Sequence, residues 1–148
     1  MKDILIVYSK MVVGGSTTSL LSLLNGIDYG KYRVDLLLYD NGGDLQSFIN
    51  PNVNVLPQAK ERTLPLVKLC NPSFWTHLQK ARRLSRKHKN KLINAQIMSK
   101  YEALACGRPR KEYDVGISFL EFWPTEYLCR RVRAKRKIGW IHIDIKEA

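Results

Sequence analysis

The chain has 148 residues, with 25 Lys+Arg against 13 Asp+Glu, 45% hydrophobic and 26% charged residues, a composition that excludes disorder and fits one globular domain. A chain of this length buries roughly two thirds of its unfolded surface, so its core needs no disulfide or metal staple; Cys70, Cys106 and Cys129 offer none, being odd in number with neither C-x-x-C nor zinc-ligand spacing. The first apolar run, over 4–8, is too short for a signal-peptide core and no run approaches the ~18 residues that span a bilayer, so a cytoplasmic chain is expected.

The run over 4–8 is β-branched and apolar and reads as a first strand, followed by a loop with Gly14-Gly15 and then a helix led by Ser16-Thr17-Thr18. Leu20, Leu24 and Ile27 form that helix's apolar stripe, Ser16 or Thr17 suits its N-cap, and Asn25-Gly26 begins its end. A second strand over 32–39 stops at Asp40-Asn41-Gly42-Gly43-Asp44; a short helix over 45–49 and a third strand over 53–56 follow. Leu78, Ala81, Leu84, His88, Leu92, Ala95 and Met98 recur at steps of three or four and predict a long amphipathic helix, broken at Gly107-Arg108-Pro109. A fourth strand over 115–119, a helix opening at Pro124 and a fifth, inner strand over 137–141 complete the series. This order predicts an α/β fold, a Rossmann-like parallel sheet with right-handed crossovers and flanking helices.

The +12 net charge concentrates in two acid-free runs, 80–91 and 130–137, outside which acids and bases nearly balance. Such runs attract phosphate-bearing substrates, anionic lipid or nucleic acid, or are simply solvated faces.

Three segments fall where a doubly wound sheet places its ligands, at the carboxyl ends of the strands. Val13-Gly14-Gly15-Ser16-Thr17 is neither G-x-G-x-x-G nor a P-loop, and reads equally as a tight turn or an anion site. Glu121-Phe122-Trp123-Pro124-Thr125 combines a carboxylate with aromatic rings, suited to sugar recognition or, more simply, to packing and helix initiation. Gly139-Trp140-Ile141-His142-Ile143-Asp144 places an imidazole beyond the last strand, able to donate to a hydroxyl or phosphate, yet too thin for a metal site.

The ordered set of the first strand, the Gly-Gly loop, the Leu-rich helix, the segments 31–39 and 113–121, and Ile138-Gly139-Trp140-Ile141-His142 resembles family 4 glycosyltransferases of the GT-B type over the whole chain. The resemblance implies the amino-terminal, acceptor-side Rossmann-like domain over 1–148, with the donor-binding domain and its paired glutamates outside this chain, an ending that looks cut. It implies retaining transfer from a nucleotide-diphosphate sugar to a cell-envelope or polysaccharide acceptor, normally without a catalytic metal or other cofactor, and a fragment inactive alone. Residue by residue, Gly14, Gly15 and Ser16 match the substrate loop, His142 matches the catalytic histidine that faces the transferred sugar, and Glu121, Trp123, Pro124 and Thr125 match the acceptor cleft. The cationic helix, through Lys80, Arg82, Arg83, Arg86 and Lys87, would hold the enzyme on anionic membrane near a lipid-linked acceptor. The alternatives are a basic α/β module that binds nucleic acid or anionic membrane through 80–91 and 130–137, and a flavodoxin-like phosphate-binding domain. Nucleic acid is the weaker partner because 80–91 has no aromatic residue to stack on bases.

Overall fold

The computed structural model describes residues 1–59, 79, 83 and 91–142, the side chains of 91–93 aside. Strand β1 (Lys2–Tyr8) runs through the glycine loop into helix α1 (Gly15–Gly26); β2 (Tyr32–Leu38), a 3₁₀ turn (Gln46–Phe48) and β3 (Asn54–Val55) follow. After them come α2 (Lys91–Ala105), β4 (Tyr113–Ser118), α3 (Trp123–Arg131) and β5 (Ala134–Gly139). The strands form one sheet in the order β3-β2-β1-β4-β5, and every neighbouring pair is parallel. This is the expected Rossmann-like α/β architecture.

Alternation along the strands divides the core in two. Ile6, Tyr8, Val34, Leu36 and Leu38 face α1 and meet Leu20 and Leu24, whereas Leu5, Val7 and Leu37 face α2 and α3 and meet Ala103, Tyr127 and Leu128. A parallel sheet covered on both faces buries successive side chains, which is why β1 and β2 read as nearly unbroken apolar runs. Gly116 brings α3 close to the sheet, since a Cβ there would lie 2.6 Å from the Leu128 side chain.

Several local expectations are corrected. The N-cap of α1 is Gly14, with no side-chain cap; Ser16 and Thr17 lie in the first turn, where both hydroxyls meet the Tyr8 hydroxyl at 2.9 Å. Strand β3 has only two residues, Asn54 and Val55, because Pro57 supplies no N–H to extend the ladder. Strand β5 begins at Ala134, pairing with Tyr113, and ends at Gly139, pairing with Ser118; backbone pairing recruits Lys135 and Arg136 whatever their polarity. Among the described residues β5 is an edge strand rather than an inner one, a place where charged side chains are well tolerated. The long cationic helix is described over α2 and at Gln79 and Arg83, which are helical; the rest of that expectation lies outside the described residues. Among the described side chains of α2 the buried ones are Ser99 and Ala103, one turn apart, whereas Ala95 and Met98 are half-buried.

Candidate functional site

The strand order reverses at β1, whose neighbours β2 and β4 lie on opposite sides, so the loops after β1 and β4 flank the topological switch point at the carboxyl edge. Tyr8, at the end of β1, is buried and ties its hydroxyl to Ser16 and Thr17, fixing the first turn of α1 against the sheet. The first helical bond runs from the Thr18 N–H to the Gly14 carbonyl at 3.0 Å. The amides before it have no carbonyl one turn earlier, and no side chain caps them. Gly14 has an extended backbone, φ 172°. A Cβ on Gly14 or Gly15 would meet nothing within 4 Å, so the fold itself does not require glycine at either position. Glycine here keeps the backbone open from outside.

The opposite is true of Gly43 in the loop after β2. Its φ is +110° and a Cβ would fall 2.4 Å from the Met11 carbonyl oxygen. The Leu45 N–H donates to that same carbonyl at 3.0 Å. The glycine loop is therefore buttressed from beneath by the loop after β2, and Lys10 pairs with Asp40 at 3.4 Å across the same junction.

Beyond β4, the Phe119 N–H continues the sheet by donating to the Val7 carbonyl at 3.0 Å. The Phe119 ring is fully buried and carries the rings of Trp140 at 4.9 Å and His142 at 5.1 Å. Trp140 and His142 lie nearly parallel, 16° apart. The His142 backbone N–H donates to Glu121 Oε1. Glu121 thus fixes the chain where it leaves β5, and His142 stands exposed at the carboxyl edge beside it. Phe122, the next residue, adopts φ 60°, a conformation that costs a non-glycine residue on the order of 1–3 kcal/mol and persists only where its surroundings enforce it. Thr125 helps to enforce it, its hydroxyl donating to the Leu120 carbonyl at 3.0 Å and lying 3.1 Å from Ser118 Oγ.

The structure separates the four cleft residues expected after β4. Glu121 and Thr125 are half-buried at the edge. Trp123 and Pro124 are buried instead; the Trp123 ring stacks on Tyr127 at 4.9 Å and tilts onto Tyr39 at 4.8 Å. The ring the pattern offers to a sugar is used in the core, because it opens α3 on the face turned to the sheet. The exposed tryptophan of this edge is Trp140, 43% exposed, and Val13 and Ile141 join it at 73% and 54%.

Of the anionic-surface residues, Arg83 is exposed on a helix; Lys80, Arg82, Arg86 and Lys87 lie outside the described residues. The run 130–137 is largely engaged within the domain. Arg130 pairs with Glu126 at 2.5 Å, Arg131 Nε donates to the Cys106 carbonyl at 2.8 Å, Lys135 pairs with Asp114 at 2.7 Å, and Lys137 donates to the Cys129 carbonyl at 3.0 Å.

A second cluster, absent from the sequence reading, lies toward the amino edge. Asp35, 6% exposed in the middle of β2, accepts from Asn54 Nδ2 at 2.8 Å and Tyr113 Oη at 2.8 Å, and pairs with Lys111 at 3.4 Å. Lys111 also pairs with Asp3 at 2.8 Å, and Arg33 with Asp3 at 3.0 Å. The Lys111 hydrogen bond outweighs burial and holds the Asp3 carboxyl below its ordinary pKa. Burial pulls the Lys111 ammonium down, but Asp3 and Asp35 together hold it above the ordinary lysine value. This network borders a cavity of about 600 Å³ formed with the loop between α2 and β4. A visible signal was available: an aspartate inside Val34-Asp35-Leu36-Leu37-Leu38 is a charge in a buried strand and needs partners.

Compared with protein-family models, with characterised proteins and with solved structures, the chain matches none. Among the described residues no group of three or more His, Cys, Asp or Glu could hold a metal ion, and no helix is long and apolar enough to cross a membrane.

Proposed function

We propose that the chain is the acceptor-side domain of a retaining GT-B glycosyltransferase, transferring a sugar from a nucleotide-diphosphate donor to a cell-envelope or polysaccharide acceptor. The observation that carries this reading is the convergence, at one switch-point edge, of the open glycine loop and the Glu121–His142 pair, segments far apart in the chain. Gly14, Gly15 and Ser16 would present uncapped amides to a diphosphate, and His142 would face the transferred sugar while Glu121 holds its backbone. Positive charge on the sugar and negative charge on the leaving diphosphate need fixed dipoles from both walls of a closed cleft. A second domain supplies the other wall, so this chain alone does not turn over. The apolar Val13, Trp140 and Ile141, exposed at this edge, suit contact with such a wall. Docking on the inner face of the cell membrane through Lys80, Arg82, Arg83, Arg86 and Lys87 would bring a lipid-linked acceptor within reach.

The nucleic-acid reading is less favoured, since four of the six basic side chains in 130–137 already have partners inside the domain. The deciding experiment is acceptor-dependent release of nucleoside diphosphate by the product of the whole reading frame, across a panel of nucleotide sugars. His142→Ala is expected to lower kcat by roughly 100-fold or more, on the scale of losing a positioned transition-state donor. Absence of transfer with every donor, together with unmoved amides at 14–16 when a nucleotide sugar is added to the present chain, would sink the reading.

A further inference from the structure

The cavity at the amino edge lies at the opposite end of the strands from the proposed transfer site and is lined by groups that site does not use. Its volume, about 600 Å³, is that of a small-molecule pocket. Leu56, Pro109 and Tyr113 give it apolar walls, and Arg108, Arg110 and Lys111 give it three cations against the single carboxylate of Asp35. Among the described residues Lys111 is engaged by Asp3 and Asp35, whereas Arg108 and Arg110 make no ion pair or hydrogen bond and both are exposed. Two guanidinium groups flanking Pro109 are thus free to bind while the segment carrying them is anchored. Anchoring comes from α3: the Tyr127 hydroxyl donates to the Gly107 carbonyl at 2.6 Å, and Arg131 donates to the Cys106 carbonyl at 2.8 Å. Asp35 completes the pocket. A carboxylate offers about four acceptor positions, and Asn54, Tyr113 and Lys111 occupy three.

From this geometry we infer that the cavity binds a small phosphate monoester bearing hydroxyl groups, its phosphate held by Arg108 and Arg110 and a hydroxyl donating to the remaining acceptor position of Asp35. Arginine suits the first role because its planar fork meets two phosphate oxygens at once. The carboxylate suits the second, and its negative charge turns away a ligand that would place phosphate at the floor. The site is independent of the transferase reading, and either can fail without the other.

The test is a titration of the 148-residue chain with glycerol 3-phosphate and, separately, with inorganic phosphate, followed by the backbone amide signals at physiological salt. The expected result is a saturable shift at Gly107, Arg108, Arg110 and Lys111, tighter for glycerol 3-phosphate than for inorganic phosphate, with amides 14–16 unmoved. Arg108→Ala/Arg110→Ala should weaken binding at least 10-fold. Both residues are exposed and, among the described residues, unpartnered, so the variant should keep the wild-type spectrum elsewhere. Arg130→Ala/Arg136→Ala removes the same charge from α3 and β5 and should leave affinity within about twofold. Equal loss in both double variants would mean generic attraction to a basic protein and would overturn the inference. So would shifts confined to the glycine loop, no saturable shift with either probe, or indifference to Arg108→Ala/Arg110→Ala.

Discussion

At the carboxyl edge of the sheet the groups able to do chemistry are exposed and lightly held, whereas at the amino edge the charged groups are bound to one another beneath a cavity. His142 and the amides of the glycine loop meet solvent there, supported from behind by Tyr8, Phe119 and Gly43. Asp35, Asp3, Lys111 and Arg33 instead satisfy each other, and beside them Arg108 and Arg110 are exposed and make no ion pair among the described residues. The difference teaches where stability and ligand recognition are separable. On one edge removing an outward group should leave the fold intact; on the other, removing an inward group should not.

The sharpest way to break that comparison is Asp35→Ala. It strands the Tyr113 hydroxyl and the Asn54 amide and takes one of two carboxylates from Lys111, so a loss of about 3–5 kcal/mol is expected in urea denaturation, the scale for removing one partner of a buried charged network. A loss under about 1 kcal/mol would mean that the network is loosely held after all. Gly43→Ala comes next, and tests the support of the carboxyl edge. A Cβ 2.4 Å from a backbone oxygen at φ +110° has no flexible neighbour to displace, and about 2–3 kcal/mol should be lost.

Acid titration separates the edges by charge. Lys111 holds the Asp3 carboxyl low, and Lys135 does the same to Asp114, each below the ordinary 3.8. Stability from a depressed folded pKa is present above the unfolded value and lost as pH falls through the folded one, so unfolding should ease progressively below about pH 4. Lys111→Met should flatten that acid limb, while His142→Ala leaves it unchanged; chemical denaturation at several pH values reads both. The smallest expected effect is at Gly14→Ala and Gly15→Ala. With open space at either Cβ, their unfolding free energies should change by less than about 0.5 kcal/mol, even where ligand binding at the proposed site is lost. A large stability change would show that these glycines serve the fold and not a ligand.

Much of the architecture was legible because apolar periodicity reports burial directly. The runs at β1 and β2, the Leu20–Leu24 spacing and the turn residues around Gly26 and Gly42 all announce themselves. Strand β5 was misplaced for the converse reason: its pairing with β4 is a backbone matter, and Lys135 and Arg136, which open it, carry no strand pattern. Trp123 illustrates the same limit at the site. An aromatic beside an acid and a proline at a strand end reads as a ligand loop, and only the direction of α3 turns that ring inward onto Tyr39 and Tyr127.

The sequence by itself determined a parallel α/β domain, with a glycine loop and a histidine at strand ends, because hydrophobic alternation, helix spacing and turn chemistry are local properties of the chain. Only the tertiary structure decided that Glu121 secures the His142 backbone, that Gly14 and Gly15 are free of any packing demand, and that Asp35, Asn54, Lys111 and Tyr113 meet around one carboxylate. Those facts depend on which strands become neighbours and which face each helix covers, and a charge buried in a strand acquires its partners only when distant segments close around it.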